Sequence, residues 1–242
     1  MFEQSSRITD YIFPLIKAKR NNQDPPLIYE ELIGTGFFIG DRGFALTAGH
    51  VIDQLLENFD SSTDAIIAIF NIHPTWAALE ITHFEKHETQ DVGIIKISGD
   101  NWKSFLAITN ERQFSAAEYH CWGYPHEVAK EFRKLEEDAF DRPDLIFTQG
   151  YVRRRISNVL YPTMIFKGNA FYELSETVGG GNSGGPVILK NSVGQLKWKV
   201  FGIYIGEKEG GNISYAVQTE SFYDWIPSIL GKSVGDESNN VG

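Results

Sequence analysis

The chain has 242 residues, 42% of them hydrophobic and 13% aromatic, enough for one large domain or two small subdomains around a sizeable core. A formal net charge of -10 argues against a nucleic-acid binder that works by neutralising phosphates, and no run of about 18 apolar residues is present to span a membrane. With one cysteine, Cys121, no disulfide forms within the chain, which points to a reducing, cytoplasmic setting.

Residues 5–18 mix apolar and polar positions in a loosely helical pattern. Residues 1–20 carry no apolar core followed by a small-residue cleavage site, so no leader peptide is expected. Residues 21–26 read as a break. From 27 to about 98 the chain reads as short strands at 36–39, 44–47, 65–70, 77–84 and 92–97, rich in β-branched and aromatic residues and bounded by Gly, Asp or Asn. A helical turn is expected at 51–56, and 99–116 reads as a connector. A second strand-rich block follows at 119–122, 145–152, 163–166, 186–189, 198–205 and 213–217, interrupted at 127–144 by a charged helical excursion or surface loop. Phe222, Trp225, Ile226 and Leu230 share one side of a helix predicted over 219–230, and residues 231–242, small and polar, are expected to fray. Two strand-rich blocks and one terminal helix predict an all-β architecture of two barrels, over about 27–112 and about 113–218.

Three segments carry chemistry. Residues 181–186 read Gly-Asn-Ser-Gly-Gly-Pro, a serine among glycines that let the backbone turn sharply and aim N–H groups at an oxyanion. Residues 46–50 read Leu-Thr-Ala-Gly-His and supply a base, because an imidazole titrates near neutrality. Residues 91–97 begin with Asp91 ahead of an apolar strand and supply a carboxylate that fixes the tautomer of that base. A lone Asp in such a place is also a common turn residue, and Glu85 and Glu88 are its nearest rivals, although neither directly precedes the strand.

Other readings of the glycine-rich segment fail. A nucleophile elbow of the α/β-hydrolase kind needs its histidine after the serine, and the last histidine here is His126. The Gly179-x-Gly181-x-x-Gly184 spacing matches a dinucleotide fingerprint, which must open a helix, whereas residues 186–189 read as a strand. His83 and His87 are four apart, as metal ligands on one helix face would be, but their segment reads as strand and loop, and Cys121 and the other histidines show no ligand spacing, so neither metal nor cofactor is expected. Cys121 reads as a buried small hydrophobe and Arg153, Arg154 and Arg155 as a solvated face, with Arg154 pointing opposite to its neighbours.

In the order His50, Asp91, Ser183, the chain resembles trypsin-like, chymotrypsin-fold serine peptidases of the disulfide-free bacterial kind, near HtrA-type protease domains. The resemblance is carried by residues 34–40, 45–51, 91–97, 122–125, 177–189, 202–206 and 212–217. It implies a single peptidase domain over 1–230, made of two six-stranded antiparallel β-barrels and a C-terminal helix. It implies His50 as general base, Asp91 as its orienter, Ser183 as nucleophile, and an oxyanion hole of Gly181 and Ser183 with Asn182 between them. It further implies a protein or peptide substrate and, from the HtrA type, a site activated by a partner or ligand. Asn182 stands where zymogen-activated relatives carry an aspartate, so activation by N-terminal cleavage is not expected.

The resemblance assigns the pocket for the residue before the scissile bond to Thr177, Val178, Gly179, Gly180, Tyr204, Ile205, Gly206 and Ile213. Thr177 stands where trypsin has its pocket-floor aspartate, so a strong preference for Lys or Arg is not expected. Tyr204 and Ile213 are placed to narrow the pocket toward small or medium apolar side chains; the alternative puts Glu207 and Lys208 at its rim instead. The alternative function is a catalytically silent peptide-binding module on the same scaffold, a reading that leaves the combined serine, histidine, aspartate and glycines without a purpose.

Overall fold

Short runs rich in Ile, Phe and Ala build the first half of the chain into six antiparallel strands that close on themselves. The computed structural model describes residues 8–22, 26–72, 75–99, 102–126, 144–157, 166–207 and 212–239. The first barrel comprises β1 (Ile12–Arg20), β2 (Leu27–Ile39), β3 (Phe44–Thr47), β4 (Asp64–Ile72), β5 (Thr75–Lys86) and β6 (Gly93–Ile97), in the order β1-β2-β3-β6-β5-β4. Its interior is aromatic: the rings of Phe13, Phe38, Phe70 and Trp102 contact one another at centroid separations of 4.7 to 5.3 Å.

The second half contributes β7 (Leu106–Ile108), β8 (Glu118–Gly123), β9 (Ile146–Ile156), β10 (Phe171–Leu174), β11 (Pro186–Leu189), β12 (Trp198–Glu207) and β13 (Ser214–Gln218). Six of these run antiparallel in the order β11-β8-β9-β10-β13-β12, and β11 also pairs with β12, which joins the ends of the sheet. β7 is an addition on the outer edge, parallel to β12. Tyr119, Cys121, Tyr172, Phe201 and Tyr204 fill this interior. Cys121 is fully buried, and burial pushes its thiol up to about 12, so it is not a thiolate at neutral pH.

Several elements differ from the sequence expectation. Residues 12–20 are a strand, not part of a helical segment, so the first barrel begins at 12 rather than about 27. Pro14 lies just ahead of Leu15, where pairing with β4 begins, so its missing N–H costs that ladder nothing. β10 was not expected because Glu173 interrupts its apolar pattern. That glutamate is buried and pairs with Arg154 at 2.7 Å and Arg153 at 3.3 Å. The arginine triplet is therefore not simply solvated: the register slips between Glu173 and Leu174, a bulge at Arg153 that lets two consecutive arginines reach one carboxylate. The connector at 99–116 holds β7. The expected strand at 163–166 and excursion at 127–144 fall almost entirely outside the described residues.

The end of the chain also differs. Residues 219–221 form one 3₁₀ turn and 222–230 continue as turns, not as the predicted helix. Pro227 disfavours helical geometry at Ile226, which is 64% exposed, while Phe222 and Leu230 are buried. The helix falls later, as α2 (Val234–Asn239), in the stretch expected to fray. Val234, Glu237 and Ser238 are completely buried there. Ser238 Oγ accepts the Ile108 N–H at 3.1 Å, which ties α2 to β7.

Candidate active site

Helix α1 (Gly49–Leu56) starts where β3 ends, and its start carries His50. Ala48 at its N-cap has no side chain to satisfy the first helical N–H groups. Asp91, on the turn between β5 and β6, takes that role from the neighbouring strand end, since β6 pairs with β3. Its Oδ1 accepts the His50 backbone N–H at 2.7 Å and its Oδ2 contacts His50 Nδ1 at 2.7 Å. A carboxylate accepts hydrogen bonds, so the second contact requires the proton on Nδ1 and leaves Nε2 with a free lone pair. Asp91 is 3% exposed, while the His50 side chain is 23% exposed and accessible.

The turn that presents Asp91 is organised by His87. Its Nδ1 accepts the N–H groups of Thr89 and Gln90, each at 3.1 Å, and its ring packs edge-on against Trp225. Burial holds the His87 imidazole below its ordinary titration range, and the nearby Lys167 ammonium adds to the effect. The second barrel braces the turn through Gln90, whose amide donates to Asn169 Oδ1 at 2.9 Å. Phe166 lies near the His50 ring, with centroids 5.9 Å apart. A cleft lined by His50, Asp53, Lys86, His87, Gln90 and Lys167 opens beside the pair and shares no lining residue with the expected substrate pocket.

Ser183 sits on the tight loop between β10 and β11. Gly184 has a φ of +94°, and a Cβ there would lie 2.0 Å from the Thr35 carbonyl, so only glycine fits where the loop touches the first barrel. Gly181 has a φ of +95°. Among the described residues, neither the Gly181 nor the Ser183 N–H is taken by a protein acceptor. The Asn182 side chain turns inward rather than toward those two groups: it is fully buried and donates to the carbonyls of Val178 at 2.6 Å and Gly179 at 3.1 Å. Ser183 Oγ donates to the Ile205 carbonyl at 3.2 Å and makes no hydrogen bond with His50.

Thr35, not singled out by the sequence, ties the site together. It is fully buried on β2. Its N–H donates to the Ser183 carbonyl at 2.8 Å, its Oγ1 donates to the Gly181 carbonyl at 2.9 Å, and the same oxygen accepts the Tyr124 N–H at 3.0 Å. In the sequence it stands between Gly34 and Gly36, within the segment 34–40 that carries part of the resemblance.

The expected pocket walls are joined by a second unpredicted contact. Glu207 Oε1 accepts the N–H groups of Val178 at 2.6 Å and Gly179 at 2.5 Å and the Tyr204 hydroxyl at 2.9 Å. Tyr204 is fully buried behind it, Thr177 and Gly180 are exposed, and Ile213 is partly buried. Gly206 meets the Phe166 ring, and Ile205 offers its carbonyl to Ser183. Among the described residues, no group of His, Cys, Asp and Glu is arranged to hold a metal, and no helix is long and apolar enough to cross a membrane.

This geometry sits in a chain that belongs to the trypsin-like peptidase domain family, whose sequence profile matches residues 34–202. Solved structures share the fold at low identity. Deg5 is 14% identical with a TM-score of 0.60, over 88% of this chain and 86% of that one. The HtrA-type protease AlgW, solved with a decapeptide, is 16% identical with a TM-score of 0.60, over 89% of this chain and 63% of that one. The active form of the Rv3671c protease from M. tuberculosis is 16% identical with a TM-score of 0.56, over 87% of this chain and 76% of that one. No curated protein matches the chain in sequence.

Proposed function

We propose that the chain is a serine endopeptidase. Ser183 Oγ attacks the carbonyl carbon of a peptide bond while His50 Nε2 takes its proton. The carbonyl oxygen becomes an oxyanion held by the Gly181 and Ser183 N–H groups. The tetrahedral species collapses as His50 returns the proton to the leaving amine, leaving an acyl-enzyme on Ser183. Water, deprotonated by His50, then attacks the ester, and the serine leaves with the proton restored. Asp91 holds the ring and stabilises the imidazolium in both halves. The observation that carries this reading is the double contact of Asp91 with the backbone N–H and Nδ1 of His50, which favours the tautomer a base needs.

The Ser183 hydroxyl leaves Ile205 and turns to Nε2 for the first step. That rearrangement supports a resting site completed by substrate, ligand or an activating protein partner. The Rv3671c protease, a relative in fold, has been solved in an active and an inactive form. The substrate is a protein or peptide, and no cofactor takes part. The single buried Cys121 favours a reducing, cytoplasmic setting.

The test is labelling by a fluorophosphonate probe of the intact chain, Ser183→Ala and His50→Ala. Labelling of the intact chain that disappears in both variants is expected. Absence of labelling from the intact chain, even with candidate peptides present, would instead favour the silent peptide-binding module.

A further inference from the structure

We infer that Glu207 selects a Lys or Arg side chain on the acyl side of the bond cut at Ser183, an inference that rests on Ser183 being the nucleophile. The end of β12 runs beside Ser183, since Ile205 accepts its hydroxyl, and Glu207 lies two residues further on. The facing wall is the segment at 177–180 that leads into Gly181. Glu207 bridges these walls, where three donors hold its Oε1: the Val178 and Gly179 N–H groups and the Tyr204 hydroxyl.

Those bonds fix the carboxylate and commit one oxygen. Among the described residues, Oε2 has no hydrogen-bond partner and no Lys, Arg or His pairs with Glu207. The neighbouring wall residues Thr177, Val178, Gly179, Gly180 and Ile213 carry no charge. Among the described residues, the charge between these walls is therefore a single negative one with an open acceptor. An apolar side chain entering here would strip water from Oε2 and give no donor in return. An acidic one would meet like charge. An ammonium or guanidinium donates to Oε2 in a charge-assisted hydrogen bond. Thr177 argues against an acidic pocket only if the acid must come from that wall; here it comes from the opposite strand.

The test compares hydrolysis of peptides that differ only in one residue, Lys, Arg, Leu or Glu, at the acyl side. The intact chain is expected to favour Lys and Arg over Leu by about 10- to 100-fold in kcat/KM. Glu207→Gln keeps an oxygen for the three donors but removes the charge, and brings that ratio close to one. Glu207→Lys reverses it in favour of Glu. In parallel, the same four residues at the end of product-like peptides are ranked by their binding to the Ser183→Ala chain, with and without Glu207→Gln. Probe labelling with no charge preference in hydrolysis or binding overturns the inference and leaves the peptidase reading intact. Absent labelling together with basic-selective binding lost in Glu207→Gln overturns the peptidase reading and keeps the role of Glu207.

Discussion

Thr35 donates its backbone N–H to the carbonyl of Ser183 at 2.8 Å, so the first barrel holds the loop of the proposed nucleophile directly. Its hydroxyl adds two more bonds, to the Gly181 carbonyl and from the Tyr124 N–H. Thr35→Val keeps the shape and the backbone contact but leaves a buried C=O and a buried N–H without those partners. The expected cost is about 2–5 kcal/mol. Chemical denaturation measures it, and the rate of probe labelling falls with it because the Gly181 carbonyl is no longer anchored. Thr35→Ser keeps the hydroxyl and recovers most of both. Equal stability of the valine and serine variants would show that the hydroxyl is not a clamp.

Asp91→Asn tests the tautomer argument. An amide presents one oxygen and one NH2 group to two donors, the His50 N–H and Nδ1–H. If the oxygen stays with the backbone N–H, the NH2 faces Nδ1 and favours the ring form with its proton on Nε2. That form cannot accept from Ser183. By the effect of the same exchange in a Ser-His-Asp enzyme, kcat is expected to fall roughly 10,000-fold. Folding is affected far less, because the shape is kept. A loss of activity below tenfold in steady-state kinetics would remove Asp91 from the mechanism.

The turn below Asp91 predicts a pH dependence of stability. His87 Nδ1 accepts two backbone N–H groups, so the folded turn requires it unprotonated. Its pKa is lowered, first by burial and then by Lys167, with Glu88 opposing. The unfolded imidazole titrates near its ordinary value, about 6.5. The stabilisation is therefore complete above that pH and lost as pH falls through the lower folded value, since the unfolded chain binds the proton first. His87→Asn offers a side-chain oxygen in place of Nδ1 and does not titrate. Unfolding free energies followed from about pH 7.5 down to about pH 5 should fall less for the variant than for the parent. Parallel curves would rule out His87 as the source of the acid sensitivity.

The parts of this molecule legible in its sequence are those where residue type alone carries the constraint. β3 and β11 are apolar runs with clear turn residues on either side, and their bounds match the expectation to the residue. The glycines around Ser183 announce a loop that no side chain fits. β1 was obscured by Pro14 and its charged end, and β10 by Glu173, whose arginine partners lie on the neighbouring strand. Thr35 and Glu207 were harder still, because most of their partners are backbone N–H and C=O groups, which every residue carries. Only the crossing of β2 past the serine loop, and of β12 past 177–180, reveals that those groups need them.

Helix α2 is tied to the first barrel through Glu237 and Arg42. Glu237 is fully buried, and its carboxylate takes Arg42 at 2.6 Å and Lys232 at 2.8 Å. Burial alone would raise its pKa, but the hydrogen bonds from Arg42 and Lys232 outweigh it and hold the carboxyl below its ordinary value. Its contribution is thus present above the usual glutamate range and lost as pH falls through the lowered folded value. Glu237→Gln keeps the size but not the charge that two cations share, and is expected to cost about 1–3 kcal/mol near neutral pH. Adding Arg42→Ala to that variant should cost less than Arg42→Ala costs alone, since the two act on one contact. Additive losses in this double-mutant cycle would mean that α2 is held by the burial of Val234 rather than by its carboxylate.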